Sequence, residues 1–366
     1  MLSARSFTAL CLLTACVVVA ATLVSGDSDA IPGSGKPLFP DLMSRLNDIE
    51  QIQIGNAPTR FVLERSDGGW IAPDKFGYPA DADKIHKLVV GTAGLKRVEP
   101  KTSDPDRYPK LGLADSGEKA SAAMSYRLKS GNDSTIAALI VGNSAPAKGD
   151  PDLSEFYVRV ADDPRAWLVA GKLPRGDDLL EWLDRTVADI DRVRVRQTQV
   201  AHASGEVVTV TRESPAKEDF LLPDAPPSKT VDGQWKLNDI GRLFSSLELE
   251  DVRPKEDAPI EGEPDYVVTT RTFDGLVVRM EVFKPEQQAF GVLTAEFHPT
   301  EARVEGAPAP KESLASAEAV RAEAGRLNAR WARWAYALPA FKLDALARSQ
   351  AELLKDPADD KQPDQG

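Results

Sequence analysis

The chain has 366 residues, with 57 acidic and 45 basic side chains and a formal net charge of −12. So acidic a chain repels phosphate backbones and anionic bilayers, which argues against nucleic-acid binding and against a broad basic surface lying on lipid. Hydrophobic residues at 42% and charged ones at 28% are the balance of a soluble, folded body.

The first 30 residues stand apart from the rest. Arg5 precedes an uncharged apolar run over residues 7–24, and Asp27 and Asp29 follow it. A run of about 18 residues just spans a bilayer as a helix. A basic flank before it and an acidic one after it orient the N-terminus to the cytoplasm and the body outside. Three fates fit the segment: an uncleaved signal-anchor, cleavage near Ser28-Asp29-Ala30, or lipidation at Cys16 within Leu13-Thr14-Ala15-Cys16. The run length favours the anchor, so the expected location is the inner membrane, single-pass, with the body periplasmic. Both cysteines, Cys11 and Cys16, lie in this run. The body therefore has no disulfide, thiol nucleophile or cysteine-bound metal.

After a linker over residues 31–47, a first α+β module is expected over 48–187. Residues 49–54 alternate as a strand, 60–65 form its partner, and Ser66-Asp67-Gly68-Gly69 turns toward Trp70. Pro79 and Asp81 open a helix with Ile85, Leu88, Val89, Thr92 and Leu95 at helical spacing. It runs into Arg97-Val98-Glu99-Pro100, and strands follow at 122–128, 135–141, 156–160 and 167–170. Leu173-Pro174 and a helix over 177–187 close the set.

The same order recurs over 188–355. Residues 190–196 and 206–212 read as paired strands, and Trp235 precedes a helix carrying Leu237, Ile240, Leu243, Phe244 and Leu247. The exit Asp251-Val252-Arg253-Pro254 matches the first, and strands follow at 266–271, 276–283, 292–297 and 334–337. Leu338-Pro339 and a helix over 341–354 end the second set. Recurrence of this order predicts two tandem related modules, each an antiparallel sheet with packed helices. An Ala/Glu-rich stretch at about 300–328 reads as a helical insertion in the second module, and the acidic residues 356–366 read as a disordered tail.

No residue pattern assigns a catalytic, cofactor-binding or metal-binding site. His86, His202 and His298 are far apart and lack metal-ligand spacing, and His86 reads as a surface residue. No phosphate loop or nucleophile elbow appears. The pairs Asp162-Asp163, Asp177-Asp178 and Glu250-Asp251 fall in loops or at helix ends, where Asp177-Asp178 suits capping. Arg192, Arg194 and Arg196 alternate with valines and read as a solvated strand face. The cluster 330–336 holds Trp331, Trp334 and Tyr336, with Trp334, Tyr336 and Leu338 read as a buried strand face.

Gly77-Tyr78-Pro79-Ala80-Asp81 with its helix, Leu95-Lys96-Arg97-Val98, and Tyr108-Pro109-Lys110-Leu111-Gly112-Leu113 carry a resemblance. They look like the bacterial domain-of-unknown-function family 4340, as do Leu173-Pro174 and Leu338-Pro339, over roughly residues 49–354. Lys110-Leu111 interrupts the usual tyrosine-to-glycine spacing. The resemblance implies an envelope protein with an N-terminal membrane segment, often associated with ABC-type transport systems, and no enzymatic residues. The expected function is a non-enzymatic accessory protein binding a membrane transport component, with 300–328 as the contact element. The alternative is a periplasmic ligand- or glycan-binding module using a cleft between the repeats.

Overall fold

The computed structural model describes residues 34–56, 59–114, 123–146, 153–161, 163–284, 288–299 and 314–356. The apolar N-terminal run with Cys11 and Cys16, the first part of the expected insertion and the acidic tail from residue 357 lie outside them. Among the described residues no helix is long and apolar enough to cross a membrane. The protein is a mixed α/β chain built on two large antiparallel sheets and several helices. The described residues form two compact units, one holding those up to Ile71 and from Ala80 to Trp182, the other holding Ala72–Pro79 and those from Leu183 onward.

In the first unit the strands are β1 (Ile49–Gly55), β2 (Arg60–Ser66), β3 (Gly69–Ala72), and, after the two-residue β4 (Tyr78–Pro79) that is counted with the other unit, β5 (Lys96–Pro100), β6 (Met124–Ser130), β7 (Thr135–Ala145), β8 (Ser154–Val160) and β9 (Ala166–Gly171). They lie in the order β3-β2-β1-β6-β7-β8-β9-β5. Alternation drives this: Ile52, Ile54, Leu63, Leu128, Leu139 and Val158 are buried, while intervening residues face outward. Helix α1 (Ala82–Gly94) buries Ile85, Leu88, Val89, Thr92 and Ala93 and lies against β9. Its start is fixed by Asp81, whose carboxylate accepts the Lys84 amide at 2.9 Å. The short helix α2 (Tyr108–Leu111) covers the other face of the sheet, where Tyr108 and Leu113 pack with Ala166, Ile140 and Tyr157.

The second unit has β10 (Thr186–Ala188), β11 (Val195–His202), β12 (Val207–Thr211), β13 (Thr230–Val231), helix α3 (Gln234–Gly241), β14 (Leu247–Glu248), β15 (Asp251–Pro254), β16 (Tyr266–Thr272), β17 (Leu276–Phe283), β18 (Phe290–Phe297), α4 (Ala317–Trp331), β19 (Trp334–Ala337), α5 (Ala340–Ala347) and β20 (Leu354–Lys355). Its main sheet runs β12-β11-β16-β17-β18-β19-β15, and β10 pairs with β14 and β13 with β20. Here too a segment after the edge strand covers the outer face, with Ala258 and Ile260 packed on Phe290, Ala335 and Ala337. Tyr78, from the segment Ala72–Pro79, sets its ring edge-on to Trp334 at 5.0 Å, and Lys75 pairs with Asp251 at 2.6 Å.

Four expected elements differ. Residues 177–187 do not form a helix: a 3-10 turn at Leu179–Trp182 buries Trp182, and Thr186–Ala188 then pairs as strand β10. Thr186 and Val187 are β-branched, and a strand partner outweighs their weak helical preference. The strand expected at residues 190–196 begins only at Val195, because the Asp191 carboxylate accepts the Val193 amide and turns the chain. Helix α3 stops at Gly241, and Ser246 at φ 49° lets the chain turn into β14. The last helix ends at Ala347, since Ser349 and Glu352 bond each other locally at 2.8–2.9 Å and open a separate turn.

Candidate functional site

The residues singled out from sequence do not gather. His298 meets Glu296 at 2.9 Å, His202 lies edge-on to Tyr266, and His86 is exposed on α1. Among the described residues no three His, Cys, Asp or Glu side chains assemble as a metal-ligand set. Asp178 accepts the Leu180 amide, Asp177 accepts from Asn56, Asp163 accepts the Arg165 amide, and Asp251 holds Lys75. These carboxylates fix turns and ends; Asp162 lies outside the described residues.

One expectation is corrected. Arg192, Arg194 and Arg196 do not share a solvated strand face. Arg194 is partly buried in a doubly bidentate arrangement, its Nε and Nη2 donating to Asp274 at 2.7 and 3.3 Å and its Nη1 and Nη2 to Glu323 at 2.9 and 2.7 Å. Burial pushes the Arg194 guanidinium down, but the hydrogen bonds to Glu323 and Asp274 outweigh it, so it is held above its ordinary value. The described end of the expected insertion packs into the second unit. Helix α4 buries Val320, Ala324 and Trp331 and supplies Glu323. Of strand β18, only Phe290 and Gly291 pair with β19, leaving the rest of that edge of β18 without a strand partner. Asn328 of α4 covers it, bonding both the amide and the carbonyl of Ala295 at 2.8 and 2.7 Å. Trp334, Tyr336 and Leu338 are buried, as expected, and so is Trp331, whereas Ala332 and Arg333 are exposed and Arg330 pairs with Asp184 at 2.7 Å.

What the sequence reading missed is a cleft of about 650 Å³ wholly within the first unit, lined by α1, the ends of β7 and β8, and the segment 172–175. Its apolar wall is Val90, Phe156, Leu173 and Pro174, and its rim carries His86, Lys87, Lys172 and Arg175, with Ser144 and Ser154 at one end. The volume sits within the range of small-molecule sites.

Each wall has a local cause. Gly91 sits inside α1, where glycine costs about 1 kcal/mol relative to alanine. A Cβ there would meet the Lys172 carbonyl oxygen at 2.3 Å, so glycine lets segment 172–175 close on the helix. The Tyr126 hydroxyl donates to the Pro174 carbonyl at 3.0 Å, and burial raises its pKa. The Arg175 guanidinium donates to the Gly142 carbonyl at 3.2 Å and lies 5.6 Å over the Phe156 ring. A bulge in β7 sets Ser144, after Val141, opposite Phe156, re-aiming it toward the cleft. Gly142 in that bulge allows the Leu111 carbonyl to approach, and Gly112, at φ 70°, lies against Asn143. The Tyr108–Leu113 motif thus supports the cleft from behind. Leu173-Pro174 and the mid-helix Gly91 were the available signals, but neither reveals by itself that the two segments meet.

Chemically the cleft offers apolar surface, two hydroxyls and a cationic rim without a lining carboxylate. Such a surface holds an apolar group and fixes its polar end. The model of one family, described as Domain of unknown function (DUF4340), matches residues 70–263, more than half of the chain and a span that contains every cleft residue. No curated protein and no solved structure matches it.

Proposed function

We propose that this chain, which belongs to the Domain of unknown function (DUF4340) family, is a binding protein of the bacterial envelope that recognises its ligand in the cleft of the first unit and does not turn it over. The carrying observation is that cleft: apolar, about 650 Å³, with walls held at Gly91, Tyr126 and Arg175. A site fixed in advance loses little ordering entropy on binding. The direct test is Val90→Trp in the full-length chain, which fills the cleft from α1. Native mass spectrometry of wild type purified from its host should show a bound small molecule that the variant lacks at unchanged melting temperature. Equal ligand content in both proteins would refute the assignment of the site.

A second reading, docking to a membrane transport component, is favoured by the apolar run over residues 7–24. A tether there would hold the body at the membrane surface and raise its effective concentration for such a partner. Trp235 on α3 and Phe341 on α5 are exposed at 58% and 65% and are the aromatic side chains suited to that contact. Crosslinking in intact cells that recovers a transporter subunit through residue 235 would favour this reading. We also infer that the units are duplicated modules. In support, seven strands of the first sheet, β2-β1-β6-β7-β8-β9-β5, have the chain connectivity of β12-β11-β16-β17-β18-β19-β15.

A further inference from the structure

Given ligand binding in this cleft, on which the inference rests, we infer that its occupant is a single-chain anionic amphiphile: an acyl-sized hydrocarbon ending in a carboxylate or phosphate. Charge carries the choice. The chain has a net charge of −12, yet this apolar cleft gathers His86, Lys87, Lys172 and Arg175 and no acid. Among the described residues none of Lys87, Lys172 and Arg175 has a carboxylate partner, whereas nearby Lys84 is paired with Glu181. Cations left unpaired at the rim of an apolar wall are arranged for a charge that arrives with the ligand.

The two halves of the cleft divide the ligand. Val90, Phe156, Leu173 and Pro174 present hydrocarbon, which a sugar or other fully polar ligand would desolvate against at a loss. Arg175 is pre-aimed: its bond to the Gly142 carbonyl and its place over the Phe156 ring fix the guanidinium at the boundary between the apolar wall and the rim. Lys87 and Lys172 approach from the opposite elements, α1 and the segment after β9, so the head group would be met from two sides. Ser144 and Ser154 add donors for its oxygens.

The test is photolabelling of the full-length chain, reconstituted in zwitterionic lipid nanodiscs, with diazirine-bearing palmitate and with the matching palmityl alcohol. Labelled peptides are mapped by mass spectrometry. Palmitate should label the peptides carrying Val90, Phe156 and Leu173 about tenfold more than the alcohol does. Lys172→Glu with Arg175→Glu should reduce that labelling to the alcohol's level, and Val90→Trp should abolish both. Lys172→Gln with Arg175→Gln gives the same readout should the reversed charges unfold the unit. Dodecyl phosphate should displace the palmitate label.

Equal labelling by acid and alcohol, or indifference to the charge substitutions, overturns the anionic specificity while leaving cleft binding standing. No cleft labelling by either probe overturns the amphiphile and the binding site together. Displacement by an acidic amphipathic peptide but not by dodecyl phosphate assigns the cleft to a protein partner and also overturns the inference.

Discussion

Arg194→Met tests whether α4 is bound into the second unit by charge. Arg194 is the only cation facing Asp274 and Glu323 among the described ion pairs, and the side chains are 12%, 2% and 21% exposed. Methionine keeps most of the volume but leaves Asp274 buried without a counter-charge. Breaking a buried pair in this way costs about 3–5 kcal/mol. Asp274 retains donors in the Thr272 hydroxyl at 2.5 Å and the Ala315 amide at 3.1 Å, and Glu323 is partly hydrated, so the lower end, about 3 kcal/mol, is expected. Urea unfolding followed by hydrogen exchange of α4 peptides reads this unit separately from the first. Glu323→Gln alone should cost less, and the double variant should show a coupling of about 1–3 kcal/mol. A loss below about 1 kcal/mol with α4 still protected would refute the claim that the guanidinium holds the helix.

Other outcomes follow from the same reasoning. Deleting residues 317–331 should unfold the second unit, seen as lost exchange protection in β17 and β18, because it exposes the Ala295 edge and removes Trp331 and Glu323. Gly112→Ala should cost about 2 kcal/mol in thermal unfolding, from positive φ and a Cβ 2.4 Å from the Asn143 amide oxygen. Lys342→Met should cost about 1–3 kcal/mol by urea titration, since its ammonium donates to the carbonyls of Arg242, Leu243 and Ser245 beyond α3. Burial raises Tyr78 from 10.0 to about 12 and also raises Tyr126 and Tyr336. A raised pKa means the folded state favours the neutral phenol. That stability is complete below pH 10 and is lost as pH rises toward 12, so the phenolate absorbance of these three should appear only with unfolding.

Local physics carried much of the fold into the sequence. Alternating apolar residues in β1, β2, β6 and β7 and the Asp81 cap of α1 are decided within a few residues, as is the Ser66–Gly69 hairpin, so they are readable from a single chain. What stayed hidden depends on partners far along the chain. Arg194 looked solvated because its alternation with valines is local, while Asp274 and Glu323 lie 80 and 129 residues away. The Ala/Glu-rich α4 was legible as an added helix, but that Asn328 covers the β18 edge was not, because only the tertiary structure brings the two together. The cleft needed the same kind of information. Val90, Phe156 and Leu173 stand far apart in the sequence and meet only where the chain returns after β9 and the missing side chain of Gly91 lets that return come close. Sequence periodicity sets which face of each element is apolar; the close approach of distant backbones decides which of those faces remains open to a ligand.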